Sequence, residues 1–185
     1  NRKYFKIMFK KVCIIGCGLI GSSLARAIKE KNLAGKIVSS NRSENTNKKV
    51  IELNIVDDSS SDTKKMVEGS DLIIIATPLS SYETVILKIK DHIKHDSILT
   101  DVGSVKEKII SLVEKNLPKN VSWIPSHPIA GTEESGPEAG FSKLFQNRWC
   151  ILTPSKIAKE KDINLLKTFW ETVGSKVDIM DPKEH

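Results

Sequence analysis

Three short segments carry residue types whose spacing suits chemistry. Gly16-Cys17-Gly18-Leu19-Ile20-Gly21 has the G-x-G-x-x-G spacing, after a β-rich run and before a helical one. In such a turn Gly16 permits the tight reversal, Gly18 lets a pyrophosphate approach the backbone, and Gly21 lets the helix pack closely on the sheet. Leu19 and Ile20 open that helix, whose free N–H groups and partial positive charge suit phosphates. The second segment is Thr100-Asp101-Val102-Gly103-Ser104-Val105-Lys106. The third is Ser126-His127-Pro128-Ile129-Ala130-Gly131-Thr132-Glu133-Glu134-Ser135-Gly136, where His127 stands between Pro125 and Pro128 and reads as a loop residue. An imidazole there can exchange a proton near neutrality.

The glycine turn implies a dinucleotide. An acid about twenty residues further on would normally grip the adenine ribose of NAD. The end of the second expected strand reads instead Ser39-Ser40-Asn41-Arg42-Ser43, with no Asp or Glu. An arginine and small hydroxyls suit a 2′-phosphate, which favours NADP over NAD. Asn41 also suits a ribose hydroxyl, which leaves dual use open. Ala76-Thr77-Pro78, ending an apolar run, is expected to form the other half of the cofactor site, with Gly103 nearby, because ligands lie at the carboxyl ends of strands in open parallel sheets.

Elements that deliver these segments to one edge follow from the pattern. Strands are expected at 11–15, 36–40, 71–76, 97–102, 121–124, 149–153 and 176–180. Leu72-Ile73-Ile74-Ile75 is a continuous apolar run, as in a strand buried on both faces. Helices are expected at 22–31, 45–53, 106–116 and 161–173, and another where Tyr82, Val85, Ile86, Ile89 and Ile93 recur at helical spacing. Residues 59–62 read as a loop leading to a helix N-cap. Strands alternating with helices predict an α/β fold: a Rossmann-type, doubly wound, mainly parallel sheet with additional strands after the nucleotide-binding core. The expected organisation is a basic leader over 1–10, an NAD(P)-binding domain over 11–180, and the start of a connection over 181–185.

The glycine turn, the Ala76-Thr77-Pro78 strand stop, the D-x-G-S-x-K turn at Asp101 and the H-P-x-x-G-T-E-x-S-G loop at His127, in that order, resemble the prephenate/arogenate dehydrogenases of tyrosine biosynthesis. The segment 149–154 and the terminal Asp181-Pro182-Lys183-Glu184-His185 also fit. The resemblance runs from Lys11 onward and implies an NAD(P)-dependent oxidoreductase. Prephenate would give 4-hydroxyphenylpyruvate, or arogenate tyrosine, by hydride loss and decarboxylation. Loss of hydride from a carbinol carbon leaves a hydroxyl proton to be accepted, and His127 is the candidate base. Ser104 would orient His127 or bond the substrate hydroxyl, and equally fits an N-cap with Glu107 three residues on. Thr132 and Glu133 would shape the pocket mouth and contact the substrate, Asp101 would fix its turn, and His185 would approach the site. The resemblance further implies a C-terminal helical domain, absent from this chain, that builds a homodimer and supplies an arginine for the substrate carboxylate. The chain alone is then expected to bind nucleotide and turn over poorly.

Composition narrows the rest. Of the formal net charge of +6, Arg2, Lys3, Lys6, Lys10 and Lys11 supply five, leaving +1 elsewhere. That is too little for a nucleic-acid surface. No apolar run approaches the roughly 20 residues that span a bilayer, and 1–11 lacks the apolar core of a secretory signal, so a cytoplasmic address is expected. Cys13, Cys17 and Cys150 form no C-x-x-C pair and read as buried reduced thiols, without a metal site. His92 and His95 sit among lysines and read as surface residues. Two other readings compete. A Rossmann reductase or β-hydroxyacid dehydrogenase would use a lysine from a later helical domain. A non-catalytic dinucleotide sensor would need no base at His127.

Overall fold

The apolar run Leu72–Ile75 lies at the centre of the molecule, with all four residues fully buried. Burying one such side chain contributes about 1.5–3 kcal/mol before entropy is counted. The computed structural model describes residues 7–104, 107–130 and 135–185. In chain order the elements are β1 (Phe9–Ile15), α1 (Leu19–Glu30), β2 (Ala34–Ser40), α2 (Glu44–Glu52), β3 (Asp58–Ser59) and α3 (Thr63–Val67). These are followed by β4 (Leu72–Ile75), α4 (Tyr82–Ile89), β5 (Ile98–Asp101), α5 (Glu107–Asn116), β6 (Ser122–Ile124) and β7 (Ser126–Pro128). The last are β8 (Trp149–Leu152), α6 (Glu160–Thr172) and β9 (Lys176–Ile179).

Six strands form one parallel sheet in the order β3-β2-β1-β4-β5-β6. The order reverses between β1 and β4, where a crevice opens at the carboxyl ends of the strands. Alternation along the strands divides the core. Val12, Ile14, Leu72 and Ile74 pack toward α1 and α6 with Leu24, Ile28, Phe169 and Trp170. Cys13, Ile15, Ile73 and Ile75 pack toward α3, α4 and α5 with Tyr82, Ile86, Val113 and Trp123. Among the described residues no helix is long and apolar enough to cross a membrane.

A second sheet, β7-β8-β9, is antiparallel at its first pair and parallel at its second. Pro125 alone separates β6 from β7. Proline lacks the N–H that would continue a ladder, so the chain leaves the large sheet there and starts the small one. Three details differ from the sequence pattern. β1 begins at Phe9, which is buried and pairs with Ala34, so the end of the basic leader is already sheet. α1 begins at Leu19 rather than three residues later. The stretch read as a loop before Asp62 begins in β3, whose Ser59 is held to Ser39 of β2, and Asp62 caps α3 as expected.

Candidate functional site

The glycine turn sits at the carboxyl end of β1, facing the end of β4. Gly16 has φ +95°, and a Cβ there would lie 3.0 Å from the Ala76 carbonyl oxygen and from Thr77 Cγ2. Its amide donates to Ser40 O at 2.9 Å, and the Ala76 amide donates to Ile15 O at 2.7 Å. Gly16, Ala76 and Thr77 therefore line one crevice with Pro78 at its exposed rim. A Cβ on Gly21 would overlap the Gly16 carbonyl oxygen, so the helix can approach the turn only without a side chain. A Cβ on Gly18 would meet nothing within 4 Å. Gly18 is also the N-cap of α1, has no side-chain cap, and no acid occupies the first turn. The open backbone and the uncapped amides at Leu19 and Ile20 fit a pyrophosphate.

At the end of β2 the candidate residues part company. Asn41 is buried, and its side chain is engaged within the protein. Its Oδ1 accepts from the Cys17 amide at 2.6 Å, and its Nδ2 donates to Asn47 Oδ1 at 3.0 Å. Asn47 Nδ2 in turn donates to Asn41 O at 3.0 Å, and Ser59 Oγ donates to Asn47 Oδ1 at 2.6 Å. Asn41 thus holds the glycine turn in shape. Arg42 is exposed, and among the described residues it makes no hydrogen bond or ion pair. Ser43 caps α2, accepting from the Thr46 amide at 3.4 Å.

His127 lies on β7, paired with Ile151 of β8, and not on a loop. A three-residue strand between prolines leaves no periodicity to read. The strand presents the ring half-buried, while Ser126 and Pro128 on either side point inward. His127 Nδ1 lies 2.8 Å from His185 Nε2, with ring centroids 4.9 Å apart. Burial first, and then the His185 ring, hold the His127 pKa below its ordinary value.

Side chains that the sequence pattern did not mark support this histidine. Trp170 Nε1 donates to Ser126 Oγ at 3.1 Å. Ser126 Oγ and Thr100 Oγ1 are 2.7 Å apart, and Thr100 Oγ1 donates to Ile124 O at 2.6 Å. With Thr100 donating to Ile124, Ser126 is the donor to Thr100, so the chain of bonds runs one way from α6 to β6. Asp101 accepts from the Gly103 amide at 3.1 Å, which fixes the turn as expected. Gly103 is partly buried and Ser104 is exposed. Among the described residues no hydrogen bond joins Ser104 to His127. His185 makes the contact foreseen for Ser104. Thr132 and Glu133 lie outside the described residues. His92 meets Glu68 and His95 meets the Lys119 carbonyl, both at the surface. The three thiols are buried, and burial pushes Cys13 up to about 12 and Cys17 up to about 11.

Residues 24–179 match the family model described as prephenate dehydrogenase, nucleotide-binding domain. The chain is similar to the cyclohexadienyl dehydrogenase of Zymomonas mobilis, 36% identical over 178 residues, which cover 96% of this chain and 60% of that protein. It is 31% identical to the prephenate dehydrogenase of Bacillus subtilis, over 94% of this chain and 47% of that protein. The chain thus spans about half to three fifths of these curated relatives. Among solved structures, it superposes on prephenate dehydrogenase from Aquifex aeolicus in complex with hydroxyphenyl propionate and NAD+. The TM-score is 0.87 at 31% identity, over 95% of this chain and 61% of that one.

Proposed function

Since this chain belongs to the prephenate dehydrogenase family, as its nucleotide-binding domain, we propose that it serves the oxidative decarboxylation of prephenate or arogenate. The observation that carries the reading is His127, half-buried and joined at Nδ1 to His185, on a strand tied to the end of β5. With the hydrogen on Nδ1 and donated to His185, His127 Nε2 is the free base. Its lowered pKa keeps that base neutral at neutral pH. His127 takes the hydroxyl proton as the ring carbon bearing that hydroxyl gives up hydride. The glycine turn and the α1 N-terminus would hold a nicotinamide cofactor there, which would supply the hydride acceptor. The bond between ring and carboxylate then breaks, CO2 leaves, and the electron pair makes the ring aromatic. The forming phenolic oxygen recovers the proton from His127. A base so placed contributes about 10²–10⁴-fold. Ser104 would bond the substrate hydroxyl from its turn, and Thr132 and Glu133 would shape the pocket mouth.

For the cofactor, NADP is favoured over NAD. Asn41 is spent on the turn, no acid takes its place, and Arg42 has its guanidinium free among the described residues. Arg42→Ala should weaken NADP binding by roughly tenfold, the loss of one charge-assisted hydrogen bond of about 1.5 kcal/mol, and leave NAD binding unchanged. Equal losses for both cofactors reject that assignment. The family resemblance supports a cytoplasmic homodimer built through a helical domain.

The deciding experiment is an assay of the full-length protein with prephenate and with arogenate, each with NAD and NADP. Turnover in one or more mixtures is expected. Silence in all four, from a folded protein that binds nucleotide, overturns the reading.

A further inference from the structure

Asp101 ends β5 and is fully buried, and its two carboxylate oxygens serve two different segments. Oδ2 accepts from Tyr82 Oη at 2.6 Å and from the Gly103 amide at 3.1 Å, at the turn that carries Ser104. Oδ1 accepts from the Ser126 amide at 3.1 Å, at the strand that carries His127. Resting on the reading of His127 as the base, we propose that Asp101 is a positioning residue that clamps the Ser104 turn and the His127 strand into one register, each through its own carboxylate oxygen.

The surroundings fit a carboxylate and nothing close to it. Three donors converge on Asp101, two of them backbone amides that no rotamer change can remove. An ionised carboxylate only accepts, so it satisfies all three, whereas an amide must turn its own N–H groups toward one oxygen's donors. A side chain on Gly103 would press on the Tyr82 hydroxyl, with a Cβ 2.8 Å from Oη, so the D-x-G spacing leaves room for that hydroxyl to reach the acid. Tyr82 approaches from α4, and Cys150 of β8 feels the same charge. Both stay neutral, because burial and the Asp101 charge push each of them up. Burial likewise lifts the Asp101 carboxyl to about 7, against the pull of Tyr82 and the two amides. Each donor therefore matters to whether the clamp is closed near neutrality.

The test compares Asp101→Asn and Tyr82→Phe in the full-length enzyme, following turnover per folded molecule, cofactor affinity and the pH profile. Asp101→Asn should lower kcat by about 10²-fold, the effect of misplacing a reacting group by roughly 1 Å. Cofactor affinity should fall far less than kcat, because the glycine turn does not rest on this carboxyl and only the Gly103 amide at the other side of the crevice does. Tyr82→Phe removes one donor to the charged form, so the carboxyl rises further and the acid limb of kcat moves to higher pH. Raising the pH should restore Tyr82→Phe and leave Asp101→Asn defective. A packing role alone would lower the melting temperature of both variants while turnover per folded molecule and the pH profile stayed as in the parent, and that result overturns the proposal. If Asp101→Asn does not fold, the Tyr82→Phe profile decides. If the parent enzyme turns over neither substrate, the functional reading has failed. The clamp is then judged by the His127 ring resonance, which must differ between Tyr82→Phe and the parent just above the parent carboxyl's value of about 7, where only the variant's Asp101 is protonated; resonances that coincide there overturn it.

Discussion

Gly16, Gly18 and Gly21 build the proposed phosphate edge by leaving atoms out, whereas Asp101, Ser126 and Trp170 build the His127 edge by burying polar atoms in matched pairs. The first edge works with backbone amides and a helix end, which any sequence presents once its side chains are out of the way. The second works with a ring whose place depends on contacts between β5, β7 and α6. Binding of the cofactor and proton transfer should therefore separate under mutation, each failing at its own edge.

The largest separation is expected from His127→Asn. It removes the proposed base and keeps a polar group of similar reach, so kcat should fall by about 10²–10⁴-fold with nucleotide affinity unchanged. Near-normal turnover would reject His127 as the base. Gly21→Ala should produce the opposite phenotype. Its Cβ would overlap a backbone oxygen rather than a flexible side chain, so α1 must shift away from the turn. Overpacking of this kind costs about 1–3 kcal/mol, and here it should appear both as a lower melting temperature and as weaker cofactor binding. An unaltered cofactor affinity would show that helix and turn are not coupled in this way.

The same contrast decides what was legible beforehand. The glycine turn could be read because its function lies in residue spacing within six positions, and β4 because four apolar residues in a row need two covered faces. The inward placement of Asn41 could not be read. Its partners Cys17, Asn47 and Ser59 are 24, 6 and 18 positions away, and only the sheet order brings them together. His127 was found by its neighbours in the chain but misplaced on a loop, since β7 owes its existence to pairing with β8, more than twenty residues on. Tyr82 showed helical spacing, which explains its burial and says nothing of its hydroxyl. Asp101 was legible as a turn residue through Gly103 and illegible as a link to Ser126, a partner 25 positions away.

Ser126→Ala tests the His127 edge one step from the ring. It strips Trp170 Nε1 of its acceptor in a fully buried place, and Thr100 loses a donor but keeps the Ile124 carbonyl. A buried donor left unsatisfied costs about 1–3 kcal/mol, to be read as a drop in unfolding free energy. Activity should fall with it while cofactor affinity holds. A variant as stable as the parent would mean that the Trp170 bond contributes nothing.

The smallest effect expected concerns His185. In the folded protein His127 titrates below its ordinary value, first because it is half-buried and second because the His185 ring lies beside it. A group whose folded pKa is depressed is easier to deprotonate, so the His127 step of the acid limb lies below the ordinary histidine value, beneath the step set by the Asp101 carboxyl at about 7. Removing the His185 ring in His185→Ala takes away the like-charge part of that depression and leaves the burial part. The His127 pKa should rise, and the acid limb of kcat/KM should move to higher pH, by less than the full depression because the first cause remains. The same substitution frees Nδ1 of its partner, so the proton is no longer held on that nitrogen and the plateau rate should fall as well. A plateau that falls with no movement of the limb would assign His185 to holding the tautomer alone. A limb that moves the other way would mean that the hydrogen bond from Nδ1 to His185, which favours the protonated ring, outweighs the repulsion between the two rings.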